Sequence, residues 1–173
     1  MIAGFPGSAD DMDGFVIDAL AFCRLQESRA GESPVSDFLR LAGESVGKVG
    51  MIQWSVRGDS DKFGHPQLHL VVTGSIELIC QRCLKPISHV IDSEAVLVLA
   101  ADDAEADRIE KLVGEDVDVI VAPQSFDLAA LIEDEALLAL PLSPRHEVCP
   151  DRTAVAEHQQ SASPFSALKN WKQ

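Results

Sequence analysis

Two cysteines interrupt a long stretch of alternating apolar residues near the middle of the chain. Cys80 and Cys83, with two residues between them, lie in the stretch 76–86, which ends at Pro86. Because proline cannot donate a backbone hydrogen bond to a sheet, we expect the cysteines at the tip of a hairpin and not within a strand. A Cys-x-x-Cys turn can direct both sulfurs towards one ligand, so this pair is the first candidate for chemistry.

The residues on both sides of the pair predict two long strands. Apolar residues alternate with polar ones over residues 67–79 and again over 87–99, as expected for half-buried strands. Two further alternating runs, at residues 49–57 and 116–121, predict additional strands. Together these runs indicate a mostly antiparallel, curved sheet whose central hairpin carries the cysteines.

One segment has clear helical periodicity. Between residues 127 and 140 apolar side chains recur at intervals of three and four, Ser125 or Asp127 can cap the first turn, and Pro141 ends the pattern. We expect this helix to cover one side of the sheet. Its consecutive carboxylates, residues 133–135, are expected to form a solvated face. Residues 15–22 are too continuously apolar to show a period and could form an edge strand or the start of a helix, of which we favour the edge strand.

Length and composition are typical of one domain. The chain has 173 residues, of which 46% are hydrophobic and 24% charged, close to the average for globular proteins. We therefore expect a single α+β domain over residues 15–150, with the sheet covered by one long helix. Residues 1–14 and 151–173 are rich in small and polar residues and are expected to be flexible, apart from a short amphipathic segment near the carboxyl end.

The negative charge is concentrated in one region. The net charge is -14, and 12 of the 28 acidic residues but only 2 of the 14 basic ones lie between residues 102 and 135. An acidic surface repels the phosphates of nucleic acids and attracts basic proteins. Any contact with RNA must therefore come from a local basic patch. Residues 102–113 are expected to form an acidic helix or a mobile excursion.

No segment has the pattern of a signal peptide or a membrane span. Residues 1–14 carry no positive cluster, and the longest apolar runs fall far short of the roughly 18 residues that a transmembrane helix needs. We therefore expect a cytoplasmic protein without a membrane partner. In a reducing compartment, the four cysteines favour metal ligation or burial over disulfides. Cys23, alone in an apolar run, is expected in the core.

A second pair of potential metal ligands follows the predicted helix. His146 and Cys149 could complete a Cys3His tetrahedron around zinc with Cys80 and Cys83. The alternative is that the cysteines are small buried hydrophobes and His146 an exposed loop residue. A thioredoxin-like redox pair is a weaker interpretation, since such a pair precedes a helix and this one leads into a strand.

Two groups of residues are candidates for contact with RNA or a partner protein. Arg82 and Lys85 lie on the cysteine turn itself, and Phe165, Leu168 and Trp171 recur at helical spacing near the carboxyl end. Further basic residues on neighbouring strands and turns could extend the patch on the turn: Arg57, Lys62, His65, His69 and His89. Exposed charges without a function are the alternative.

Catalytic motifs are absent from the sequence. It has no Gly-rich phosphate loop, no nucleophile elbow and no His-Glu-x-x-His pattern. We therefore predict no enzymatic activity and no small-molecule substrate.

Several short motifs follow one another in a defined order. They are Cys-Gln-Arg-Cys-Leu at 80–84, Phe-Asp-Leu at 126–128, Leu-Ile-Glu-Asp-Glu at 131–135, Leu-Ala-Leu-Pro at 138–141 with Pro144 and His146, and Ser-Pro-Phe-Ser-Ala-Leu at 163–168. In these motifs, from about residue 68 onward, the chain resembles the bacterial YceD family of large ribosomal RNA subunit accumulation proteins. The last motif is similar to the Asn-Pro-Phe-Ala-Val-Leu ending of proteobacterial members.

The resemblance implies a non-enzymatic role in synthesis, processing or stability of 23S ribosomal RNA. The expected partner is this RNA or its precursor, bound directly or through a basic ribosomal protein or assembly factor. Many relatives outside the proteobacteria carry a second Cys-x-x-Cys that looks like the other half of a zinc site, and His146 with Cys149 replaces it here. The alternatives are a zinc-stabilised structural interaction module and, less favoured, a thiol redox enzyme.

Overall fold

The computed structural model describes residues 15–113 and 117–150, in which a five-stranded sheet is flanked by helices. The elements in chain order are β1 (Val16–Ile17), α1 (Ala19–Arg24), β2 (Ser28–Pro34), α2 (Leu39–Glu44), β3 (Gly50–Ser60), β4 (Pro66–Ile79), β5 (Pro86–Ala100), α3 (Asp103–Val113), β6 (Asp118–Val121), β7 (Phe126–Asp127) and α4 (Leu128–Leu138). Short 3-10 turns at Val35–Asp37 and Val46–Lys48 flank α2.

The order of strands in the main sheet is β2-β3-β4-β5-β6. Neighbours are antiparallel from β2 to β5, and β6 is parallel to β5 because α3 connects the two strands. The strands β1 and β7 form a separate antiparallel pair. The prediction of one mixed α/β domain built on a mostly antiparallel sheet is confirmed. The sheet is not strongly curled, so the predicted curvature is not confirmed.

Alternation along the strands determines which face of the sheet forms the core. On β4, Leu68, Leu70 and Val72 are fully buried, and on β3 Ile52 and Val56 point to the same side. The helices α1, α2 and α4 pack on this face. Each fully buried side chain of this size stabilises the fold by roughly 1.5–3 kcal/mol relative to an exposed one.

Among the described residues, those that cover the opposite face of the sheet lie near β6. Val98 and Ala100 of β5 point to this side and form a second, smaller cluster with Ile109 of α3. Their neighbours Leu97 and Leu99 belong to the main core. The last four residues of β5 are therefore all buried, because helices cover both faces there. Towards the start of β5, no part of residues 15–113 or 117–150 covers the outer face, and Val90 is 68% exposed.

The strongest helical pattern is confirmed as α4, but α4 is not one long covering helix. The Asp127 carboxylate caps it by accepting hydrogen bonds from the backbone N–H groups of Ala129 and Ala130, at 2.9 and 3.2 Å. Both α3 and α4 have 11 residues, and they lie on opposite faces of the sheet. Three helices share the main face, so the prediction of a single covering helix is not confirmed.

The expected edge strand at residues 15–22 is wrong for most of its length. Only Val16–Ile17 is a strand, and α1 begins directly afterwards. The reason is Asp18, whose carboxylate accepts a hydrogen bond from the Ala21 N–H and caps the helix. Cys23 at the end of α1 is 1% exposed, which confirms the expectation that it lies in the core.

The expectation that residues 133–135 form a solvated face holds for Asp134 but is wrong for Glu133. Glu133 is only 8% exposed and accepts hydrogen bonds from the backbone N–H groups of Arg40 and Leu41, at 2.6 and 3.1 Å. These N–H groups belong to the first turn of α2, which lacks a capping side chain of its own. Glu135 instead accepts a hydrogen bond from the Ser93 hydroxyl of β5. A helix turns by about 100° per residue, and this rotation directs the two carboxylates at different elements.

Some predictions concern residues that the structure does not describe. The flexible ends expected at 1–14 and 151–173, and with them Phe165, Leu168 and Trp171, lie outside the described residues. Among the helices of the described part of the chain, none has the length and apolar character needed to span a membrane.

Candidate metal centre

The two predicted cysteines lie on the turn that joins the longest strands of the sheet. This cysteine turn, residues 80–85, connects β4 to β5. The backbone N–H of Cys80 donates a hydrogen bond to the Lys85 carbonyl, and the N–H of Leu84 donates one to the Cys80 carbonyl, both at 2.9 Å. Leu84 adopts a left-handed conformation with φ of 58°. The hydrogen bonds close the turn at the point where Pro86 begins the next strand.

The loop that follows α4, residues 141–150, returns to this turn. The backbone N–H of Gln81 donates to the Pro144 carbonyl at 2.8 Å. The guanidinium of Arg82 donates to the carbonyl of His146, and the His146 ring Nε2 lies 3.1 Å from the Pro86 carbonyl. Hydrogen bonds from both sides of the turn therefore fix the position of the loop.

These contacts bring all four predicted ligands together: Cys80, Cys83, His146 and Cys149. Their ligand atoms lie within 4.8 Å of one another. The Cys80 and Cys149 sulfurs are 4.0 Å apart, and the Cys83 sulfur is 3.4 Å from His146 Nδ1. Tetrahedral zinc with Zn–S bonds of about 2.3 Å places its sulfur ligands about 3.8 Å apart. The group therefore has the donor atoms and the spacing to hold a metal ion.

The hydrogen bonds around Cys80 favour its thiolate, which is the form that binds metals. Burial of Cys80 opposes the charge, but backbone N–H groups of His146, Arg82 and Cys83 donate hydrogen bonds to the sulfur and lower the pKa of Cys80 to about 5. Burial raises the pKa of the Cys83 thiol. One thiolate is thus favoured at neutral pH, and the neighbouring thiol retains its proton.

Arg82 contributes positive charge to this group. Its Nε donates a hydrogen bond to the Cys149 sulfur at 3.0 Å, and this contact raises the pKa of the Arg82 guanidinium. Three thiolates and one zinc ion would leave a net charge of about -1, which a single guanidinium can balance. Arg82, predicted as an RNA contact, therefore directs its donors into the candidate site.

The tautomer of His146 is also suited to a metal. A hydrogen bond from Nε2–H to the Pro86 carbonyl leaves the Nδ1 lone pair facing Cys83. Histidine ligands of metals commonly donate their other ring N–H to a carbonyl or carboxylate, because this fixes the ring orientation. The residues present therefore fit a Cys3His zinc site.

The other predicted basic residues do not join Arg82 and Lys85. Lys62 and His65 lie on the turn before β4, whereas Cys80 follows its last residue, and 14 strand residues at about 3.3 Å each separate the two ends by roughly 45 Å. His89 lies on the covered face, with Nε2 3.2 Å from the Ala139 carbonyl. The single extended patch considered from the sequence is therefore not assembled.

Sequence reasoning missed one exposed cation at this end of the molecule. Arg145 lies on the loop next to His146 and borders a groove with Ser88, His89 and Ser143. Its position directly before the His-x-x-Cys pair was the available signal, because a residue adjacent to a fixed ligand is itself held in place.

The fold and the turn define a small mixed α/β protein with a knuckle at the tip of its central hairpin. The knuckle is the group of four potential ligands, Cys80, Cys83, His146 and Cys149. Residues 68–172 match the model of the family described as Large ribosomal RNA subunit accumulation protein YceD. The chain therefore belongs to the YceD family, which confirms the resemblance drawn from the motifs. The family name connects it with accumulation of the RNA of the large ribosomal subunit. No solved structure matches the chain.

Proposed function

We propose that this chain is a non-enzymatic cytoplasmic factor that supports synthesis, processing or stability of 23S ribosomal RNA. In this proposal it acts as an adaptor between the RNA or its precursor and a basic ribosomal protein or assembly factor. The observation that carries the proposal is the family match over residues 68–172, which includes the β4–β5 hairpin, α4 and all four knuckle residues.

The surface proposed for the basic protein is the solvent side of α3. Ile109 anchors the helix to the sheet, and Asp103, Asp107 and Glu110 are exposed. Such a surface attracts a basic protein at long range and repels RNA, which favours protein as the ligand at this end of the molecule. The tail residues Phe165, Leu168 and Trp171 remain proposed contacts for RNA or an assembly factor.

The proposed role of a zinc ion at the knuckle is structural. Bound by three cysteines and one histidine, zinc has no open coordination position for water and supplies a rigid cross-link. The cross-link would tie the 141–150 loop to the cysteine turn, 60 or more residues away in sequence. A zinc-stabilised interaction module is therefore compatible with the adaptor role, and the geometry of the four ligand atoms favours it.

A thiol redox function has less support. Cys80 and Cys149 are buried, so a substrate disulfide could approach only Cys83 among the knuckle thiols. Burial raises the pKa of Cys83, whereas a redox-active thiol requires both access and a lowered pKa.

Affinity purification of charge-reversal variants tests the adaptor role. We expect Asp107→Lys with Glu110→Lys to reduce recovery of basic ribosomal or assembly proteins from lysate by about tenfold, which corresponds to a loss of about 1.4 kcal/mol of charge attraction. These positions avoid Asp102 and Glu105 at the start of α3, where the Asp102 carboxylate accepts a hydrogen bond from the Glu105 N–H and the Glu105 carboxylate accepts one from the Ala101 N–H. The matched control is Glu27→Lys with Glu32→Lys, which makes the same change in charge at β2.

The control variant should recover the same proteins as the wild type. If both variants recover the wild-type set, or if the wild type recovers no ribosomal protein and no precursor RNA, the adaptor role is wrong. Mass spectrometry of the recovered proteins and sequencing of the recovered RNA provide the readouts.

A further inference from the structure

A groove beside the knuckle separates the start of β5 from the 141–150 loop. It has a volume of about 320 Å³ and two kinds of lining. Ser88 and His89 of β5 and Ser143 and Arg145 of the loop supply polar groups, and two loop prolines supply apolar surface. A groove that combines hydroxyls, a cation and apolar surface suits a ligand that is itself part charged and part planar.

Arg145 is the cation that this groove presents to solvent. Its Nε donates a hydrogen bond to the Ser143 hydroxyl at 3.1 Å, which holds the guanidinium at the groove. Within residues 15–113 and 117–150, no carboxylate forms a salt bridge with it. By contrast, Arg40 is bound to Glu133, and Arg82 to Cys149. Four of the five guanidinium N–H donors of Arg145 thus remain for a ligand, in a fork that fits a phosphate.

The neighbouring groups fit the remainder of a nucleotide. The exposed hydroxyl of Ser143 is an additional donor for phosphate or sugar oxygens. The His89 ring is held by its contact with the Ala139 carbonyl, at 3.2 Å. A fixed, half-buried ring offers a surface on which a sugar or an unstacked base can pack.

The acidic helix α3 is too distant to repel a phosphate at this position. It packs on Val98 and Ala100 near the end of β5, whereas Ser88 is near its start. At about 3.3 Å per residue, the separation along the strand is roughly 35 Å, or about four Debye lengths at physiological ionic strength. A local cation can therefore attract an anion despite the net charge of -14.

We propose that this groove binds one nucleotide of a single RNA strand. The Arg145 guanidinium contacts the phosphate, the hydroxyl of Ser143 adds a hydrogen bond, and the His89 ring packs against the sugar or base. This inference rests on the proposed function and deepens it, because it moves the main RNA contact from Arg82, whose donors are used within the knuckle, to Arg145.

Fluorescence anisotropy with a labelled 12-nucleotide single-stranded RNA tests the groove. The full chain, purified with its metal content intact, is titrated at several salt concentrations. We expect Arg145→Ala to weaken RNA binding about tenfold, as the loss of a charge-assisted contact predicts. The slope of the logarithm of the binding constant against the logarithm of the salt concentration should become shallower by about 0.7. Arg145→Lys should recover part of the affinity, because lysine keeps the positive charge. It should not recover all of it, because lysine lacks the planar guanidinium donors that bind two phosphate oxygens at once.

Arg108→Ala is the matched control, because it removes the same charge from an exposed position on α3. It should leave RNA affinity within twofold of the wild type. Circular dichroism and zinc content verify that each variant is folded. Adenosine monophosphate should compete more strongly than inorganic phosphate, since it also fills the apolar part of the groove.

Three results would overturn the inference. In the first, the wild type binds RNA and Arg145→Ala binds it with an affinity within twofold of the wild-type value. This result would leave the proposed function intact. A second is a wild type that recovers precursor RNA from cells only through proteins and binds no RNA alone. The third is competition by inorganic phosphate or an acidic peptide as strong as that by RNA. The proposed function itself fails if neither ribosomal protein nor precursor RNA is recovered from cells.

Discussion

At the scale of single residues, the chemistry of the site depends on which groups are held next to one another by hydrogen bonds. The His146 and Cys149 spacing suggested the second half of a metal site, and the structure brings both residues to the cysteine turn. The supporting contacts could not be predicted, because the bonds from Arg82 to Cys149 and from His146 to Pro86 join residues 60 or more positions apart. Sequence patterns therefore identified the candidate ligands but not the groups that orient them.

Substitution of Cys149 tests whether the four ligands act as one site. We expect Cys149→Ser to abolish bound zinc, measured by elemental analysis, because the remaining three ligands bind far more weakly. The melting temperature should fall by about 5 °C or more, and a chelator should lower that of the wild type similarly.

Cys23→Ala is the matched control for this experiment. It removes a buried cysteine that lies outside the ligand group, so it should keep one zinc per chain even if it lowers stability. A wild type that contains no zinc and melts at the same temperature with a chelator would contradict the zinc site.

At the scale of elements, local patterns predicted the strands and distant contacts determined the rest. The alternation over β3, β4 and β5 is encoded within each strand, so their positions agree with expectation to within a few residues. An edge strand was favoured over the helix α1 because Asp18 acts as a cap inside an apolar run. The role of Glu133 was missed because its partner Arg40 lies 93 residues earlier.

The Glu133 contact between α4 and α2 makes a prediction about pH. Burial raises the pKa of Glu133, but the N–H donors of Leu41 and Arg40 and the charge of Arg40 lower it below its ordinary value overall. A carboxylate with a lowered folded-state pKa stabilises the fold above its unfolded pKa of about 4.3, and this stabilisation is lost as the pH falls through the folded-state value.

We therefore expect Glu133→Gln to lower the free energy of unfolding by about 2 kcal/mol at neutral pH, because two backbone donors and a guanidinium lose a charged acceptor. Urea denaturation between pH 3 and 7 measures the free energy of unfolding of the variant and of the wild type. The difference between the two free energies should become smaller as the pH falls below about 4. Asp134→Asn is the control, since Asp134 pairs with the same arginine on the exposed side and should contribute less than about 1 kcal/mol. A pH-independent difference would contradict the proposed ionised state of Glu133.

At the scale of the whole molecule, the fold separates two surfaces of different charge. The knuckle and its groove lie at one end of the central hairpin, and the acidic helix α3 packs near the other end, on the opposite face from the main core. This separation allows an RNA contact and a basic protein contact on one small domain without mutual repulsion. The sequence predicted the acidic region from composition, but its distance from the knuckle follows from the length of β5.

Crosslinking in growing cells tests the account most directly. The tagged full-length chain is crosslinked, purified under denaturing conditions and analysed by sequencing of the attached RNA and mass spectrometry of the attached proteins. We predict enrichment of 23S ribosomal RNA or its precursor together with a basic ribosomal or assembly protein, and loss of the direct RNA crosslinks in Arg145→Ala. Recovery of no ribosomal RNA and no ribosomal or assembly protein above an untagged control would contradict the account.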